Sequence, residues 1–133
     1  MSGKTVLTVD DDQALLQGLT PRLKANGYRV ISAMDGISAI GVARNEKPDL
    51  VILDLGLPAG DGWVVLERMR SLPDLLSIPV IVLSAWDPTD NKKRAMDSGA
   101  VAFFQKPADN HDFLVAIRHA LGETTALSTF LNT

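Results

Sequence analysis

Cysteine is absent from this sequence, which removes disulfide scaffolds, thiolate metal sites and thiol nucleophiles and fits a reducing compartment. No apolar run approaches the ~20 residues of a membrane span, and the polar start Met1 to Lys4 leads into only a short one. Neither a signal peptide nor a spanning segment is expected, and a cytoplasmic location follows. Charge of one sign does not dominate either: the formal net charge is -3, with Lys and Arg scattered along the chain. Without a basic stripe to neutralise phosphates, direct nucleic-acid binding is not expected. Histidine is scarce too. His111 and His119 lie on or beside the last predicted helix, away from any strand end, and are expected as solvated surface.

What is present is the material of one globular domain. The chain has 133 residues, of which 46% are apolar and 22% charged, enough for a single core. Four short runs rich in β-branched or aromatic residues read as buried strands: Val6 to Val9, Leu50 to Leu53, Val80 to Leu83 and Val101 to Phe104. A weaker fifth, Arg29 to Ser32, lies between the turn signals Asn26-Gly27 and Asp35-Gly36 and reads as an edge strand. Between them the apolar period becomes helical, through Leu15, Leu16, Leu19 and Leu23; Ile37, Ile40 and Ala43; Val65, Leu66 and Met69; and Phe113, Ile117 and Leu121. Thr89 to Ser98 is a more polar helix, which Asp87 caps, Pro88 opens and Asp90 suits by charge. Asp109 is expected to cap the last helix. Pro21 removes a backbone bond inside the first and should kink it near Gly18.

Strand and helix thus alternate five times with short connections. This predicts an α/β fold, a doubly wound parallel sheet of about five strands with helices on both faces. Residues 1–121 make the domain, and 122–133 read as a C-terminal tail or linker.

In such sheets the functional crevice lies beyond the carboxyl ends of the strands. The first strand runs into Asp10, Asp11 and Asp12; the third ends in Asp54; the fourth ends in Ser84; the fifth is followed by Lys106. Any one of these has an ordinary explanation, since an Asp after a strand usually caps a helix or makes a turn, and Asp12 suits that role. Together they need another, because independent caps have no reason to gather carboxylates, a hydroxyl and an ammonium at one edge. Crowded carboxylates require a cation or a proton. Oxygen-only ligands suit a hard ion, and Mg2+ with open positions for phosphate oxygens is equipment for phosphoryl transfer. Asp54, at the mouth of the central strand, is best placed as the nucleophile.

The strings Val9-Asp10-Asp11-Asp12, Val51 to Pro58 with Asp61-Gly62, Leu83-Ser84-Ala85 and Phe104-Gln105-Lys106-Pro107 resemble, in order and spacing, the signature regions of response-regulator receiver domains. The resemblance reaches about Leu121. It implies a five-stranded sheet in the order 2-1-3-4-5, with Asp54 as phospho-acceptor. Asp11 would be a direct Mg2+ ligand, Asp10 a ligand through water, and the Gly56 carbonyl the third protein ligand. Ser84 and Lys106 would contact the phosphoryl group. Phe103 matches an aromatic switch position, with ordinary core packing as its other reading. A sensor histidine kinase or phosphotransfer protein would be the donor, and an output domain or protein would read the face built from the fourth helix, fifth strand and fifth helix.

Three features depart from the commoner pattern. Ser84 stands where Thr is usual, Phe103 lacks a phenol, and Gly99 to Ala102 carry none of the acidic residues that support the winged-helix branch's dimer. A receiver-shaped scaffold without phosphoryl chemistry is opposed by the intact Asp10, Asp11, Asp54, Ser84 and Lys106. A phosphate-ester hydrolase would need a separate acid/base group and a cap for which the chain has no room. The expectation is therefore a regulatory domain that catalyses only its own phosphorylation and dephosphorylation. Trp86, two positions beyond Ser84, either shields the phosphoryl group from water or serves partner contact.

Overall fold

The computed structural model describes residues 3–58, 61–107 and 111–123. Along the chain run β1 (Thr5–Val9), α1 (Gln13–Ala25), β2 (Arg29–Ala33), α2 (Gly36–Glu46), β3 (Leu50–Leu53), α3 (Asp61–Ser71), β4 (Val80–Ser84), α4 (Pro88–Asp97), β5 (Ala102–Gln105) and α5 (His111–Ala120). The strands form one parallel sheet in the order β2-β1-β3-β4-β5, as expected.

Alternation along the strands creates two cores. Val9, Val51, Leu53, Val82 and Phe103 face Ala39, Val65, Met69 and Ala95 on α2, α3 and α4. Val6, Leu50, Ile52, Ile81 and Leu83 face Leu19, Leu23, Phe113 and Ile117 on α1 and α5. The central strand β3 is buried throughout, because each face has a helical layer.

Caps set several helix starts. Asp12 accepts from the Leu15 N–H, Asp87 from that of Thr89, and Asp35 from that of Ser38, so the Asp35-Gly36 turn signal also opens α2. Pro88 stands at the first helical position of α4. α1 continues across Pro21 as one helix, with the proline ring on its exposed side. The expected Asp109 cap and most of the 122–133 tail lie outside the described residues.

Two details correct the sequence reading. Ile37 is 87% exposed; Ala43 is buried and Ile40 packs against the core as expected, while Gly36 and Ala39 are buried as well, small residues that let the helix approach the sheet closely. Val101 is also exposed, and β5 begins one residue later.

Tyr28 was not singled out by pattern, yet it is buried and donates its hydroxyl to Glu123 at 2.8 Å. The C-terminus of α5 turns there: the N–H of Gly122 meets the His119 carbonyl, and that of Glu123 the Arg118 carbonyl. Burial, then the hydrogen bond to the Glu123 carboxylate, push the Tyr28 phenol up to about 12. An unfolded chain loses that proton first, near pH 10, so the stabilisation is complete below pH 10 and fades as pH rises toward 12. Urea unfolding should show wild type losing about 2 kcal/mol more than Tyr28→Phe over that interval. Parallel losses would remove Tyr28 as the cause.

Candidate functional site

Parallel pairing continues past the strand ends and brings the polar residues together. The Asp54 N–H donates to the Val9 carbonyl at 2.9 Å, setting Asp54 beside Asp10. The Lys106 N–H donates to the Ser84 carbonyl at 2.8 Å, placing Lys106 across the same edge. Asp10 and Asp54 are buried, as is Ser84, while Asp11 is exposed.

The carboxylates are held in fixed orientations. Asp10 Oδ1 accepts from the Asp12 N–H and Asp54 Oδ1 from the Gly56 N–H, each at 2.9 Å. Their outer oxygens share one cation: Lys106 Nζ lies 3.0 Å from Asp10 Oδ2 and 3.2 Å from Asp54 Oδ2. Burial raises the Asp10 carboxyl above its ordinary range, against the pull of the Asp12 N–H and Lys106. Burial also opposes charge on Lys106, but its hydrogen bonds and attraction to Asp10 and Asp54 prevail, and its pKa is raised. The ammonium therefore stays charged at neutral pH.

Asp10, Asp11 and Asp54 can each offer an oxygen within 4.8 Å of the others. Three carboxylates against one ammonium leave the cluster doubly negative, a balance that a divalent cation would neutralise. Hard oxygen donors with no nitrogen or sulfur ligand in the group suit such an ion. This donor set fits the expected metal on its chemistry as well as its charge.

Gly62, at the start of α3, presses against the segment that follows Asp54. A Cβ there would lie 2.5 Å from Leu55 Cα and 2.6 Å from the Asp54 carbonyl oxygen. Gly56 is different: a Cβ would meet Asp54 Oδ1 at 3.4 Å and Trp86 Nε1 at 3.5 Å, ordinary contacts. The Trp86 indole thus stands at the mouth beside the carboxylate, its ring 6.5 Å from that of Trp63. The Ser84 Oγ accepts the Trp86 N–H at 3.2 Å, which anchors the start of the loop. Phe103 faces inward and is 7% exposed, packed in the core of α2, α3 and α4. His111 and His119 are exposed on α5, away from this cluster.

Trp63 and Arg94 escaped the sequence reading. Nothing local marks them, since their pairing joins α3 to α4 across the intervening strand.

The model of the family described as response regulator receiver domain matches residues 6–118. The transcriptional regulatory protein KdpE of Mycobacterium tuberculosis (strain CDC 1551 / Oshkosh) is 41% identical over 121 residues, covering 91% of this chain and 52% of that protein. The chain spans about half the length of the curated relatives it matches. A CheY-like receiver domain protein of Methanospirillum hungatei JF-1 superposes with a TM-score of 0.81 at 28% identity, over 90% of this chain and 94% of that one. The BeF3-activated N-terminal receiver domain of Klebsiella pneumoniae RstA gives a TM-score of 0.80 at 26% identity, over 88% and 97%. With the sheet order, the acidic edge and the family match in agreement, this chain belongs to the response regulator receiver domains of two-component signalling.

Proposed function

We propose that this receiver accepts a phosphoryl group on Asp54 from a sensor histidine kinase or phosphotransfer protein in the cytoplasm, with Mg2+ as cofactor. The observation that carries the reading is the buried Asp54 carboxylate, oriented by the Gly56 N–H and sharing the Lys106 ammonium with Asp10. An Asp54 oxygen attacks phosphorus in line; the bond to the donor histidine nitrogen breaks, and its electron pair returns to the imidazole. Asp10, Asp11, Asp54 and the Gly56 carbonyl would hold the metal. When bound, it supplies neutralisation of charge on the phosphoryl oxygens. Lys106 donates to another of those oxygens, leaving its bridge between the carboxylates, and the Ser84 hydroxyl donates to a third.

The RstA receiver's BeF3-activated form supports an anion site of this kind, since BeF3 has the shape and charge of a phosphoryl group. The response would pass through α4, β5 and α5 to an output domain or protein. Phe103 is buried in the core and lacks a phenol, so a switch at this position would work by packing alone. Residues 1–121 would serve as the receiver and 122–133 as a tail or linker.

Intact mass after treatment with acetyl phosphate tests the proposal. One phosphoryl adduct should form with Mg2+ present and should fall to background after chelation, because the doubly negative cluster otherwise repels the donor. No adduct under either condition would overturn it.

A further inference from the structure

α4 is the most polar of the described helices, and Ala95 is its only fully buried residue, so apolar packing alone holds it weakly. Two arginines tie it to α3. Arg70 of α3 donates to the Asp97 carbonyl at 3.1 Å, at the end of α4 distant from the site. Arg94 of α4 sets its guanidinium carbon 3.8 Å from the centroid of the Trp63 ring, within cation–π range. Trp63 in turn meets Trp86, with centroids 6.5 Å apart and planes tilted by 35°, a spacing at which aromatic rings attract. The free edge of Trp86 stands at the site mouth: its Nε1 and both Asp54 carboxylate oxygens surround the space beside Gly56. Guanidinium, ring, ring and carboxylate therefore form a row drawn from α4, α3, the loop after β4 and the end of β3.

We infer that Arg94 and Trp63 are positioning residues for the Asp54 site, holding the Trp86 indole where it shields a phosphoryl group on Asp54 from water. The inference rests on the phospho-acceptor reading above. Neither residue need touch the carboxylate. Loss of the phosphoryl group requires a water oxygen to bond to phosphorus as the bond to Asp54 Oδ breaks. The electron pair returns to the carboxylate, the water proton passes to solvent, and inorganic phosphate departs. An indole fixed at the mouth obstructs that approach, whereas one deprived of its ring partner and the cation behind it swings aside.

The phospho-protein is prepared with acetyl phosphate and Mg2+, the donor is removed, and decay of phospho-Asp54 is timed. Trp86→Ala should shorten the lifetime about fivefold, equivalent to about 1 kcal/mol on the barrier. Arg94→Gln should shorten it about threefold, the scale of one exposed cation–π contact, and Arg94→Lys should restore most of the loss. In a Trp86→Ala background Arg94→Gln should add nothing, since its effect acts through the missing indole. An equal effect in both backgrounds, or none in either, overturns the inference.

A second measurement does not need phosphorylation. Trp63 and Trp86 are the chain's two tryptophans, so Trp63→Phe leaves Trp86 as the sole indole emitter while keeping a ring face for Arg94. Adding Arg94→Gln to that variant should increase acrylamide quenching of Trp86, and unchanged quenching would show that Arg94 does not hold the indole. A wild type that takes up no phosphoryl group overturns the acceptor reading instead, and the quenching comparison still decides whether the stack exists.

Discussion

Asp54→Asn should take up no phosphoryl group from acetyl phosphate and Mg2+ under conditions that give wild type one full adduct. The amide is close in shape to the carboxylate, and its carbonyl oxygen can still accept the Gly56 N–H that now binds Asp54 Oδ1. What it lacks is the anionic oxygen needed to attack phosphorus. The substitution also removes one of three crowded negative charges, while Asp10 keeps its own contact with Lys106 at 3.0 Å. Asp54 contributes to the raised pKa of Asp10, so its neutralisation relieves repulsion between the two carboxylates. Asp54→Asn should therefore melt no lower than wild type while losing all uptake. That pairing separates lost chemistry from lost structure. A full adduct on the variant would place the acceptor elsewhere, and a collapsed melting temperature would make Asp54 structural.

The largest effect on folding is expected from Gly62→Ala, a change of one methyl group. Its new Cβ would stand 2.5 Å from Leu55 Cα and 2.6 Å from the carbonyl oxygens of Asp54 and Leu55. These are backbone atoms in the segment leaving the central strand, so no flexible side chain can yield. Either α3 retreats and opens the layer packed by Val65, Leu66 and Met69, or the Asp54 to Gly56 turn is displaced. Both outcomes are costly. Urea unfolding should show a loss of about 3 kcal/mol or more, the scale of overpacking against atoms that cannot move aside. For a domain of this size that lowers the melting temperature by about 10 °C. Gly56→Ala is the control, because its Cβ would make only ordinary contacts, and it should cost less than about 1 kcal/mol. Equal stability of the two variants would mean that the approach of α3 to Leu55 is not tight.

Much of the fold was legible in order along the chain. β3 shows its burial as an uninterrupted apolar run, because a central parallel strand has helices on both faces and needs no polar side. Asp12, Asp87 and Pro88 mark helix starts through bonds and angles that involve only a few neighbouring residues. The acidic edge was legible too, since each strand of a parallel sheet points its carboxyl end the same way. Polar residues after successive strands must then gather at one edge.

Local pattern fails where distant segments meet. Ile37 fits the helical apolar period with Ala43, yet it is exposed while Gly36 and Ala39 are buried beside Ala43, because the depth at which α2 packs is set by the sheet beneath it. Gly62 gives no sign in sequence of its closeness to Leu55, nor Tyr28 of its bond to Glu123. Lys106 could be placed at the edge but not between two particular carboxylates, which took the pairing of β5 with β4 and of β3 with β1. The stack of Arg94, Trp63 and Trp86 was least legible of all. By itself the sequence determined which residues must be strand, helix or strand-end, because those choices depend on periodicity and caps that span a few positions. Only the tertiary structure decided which side chains touch, because contact depends on packing distances between elements far apart in the chain.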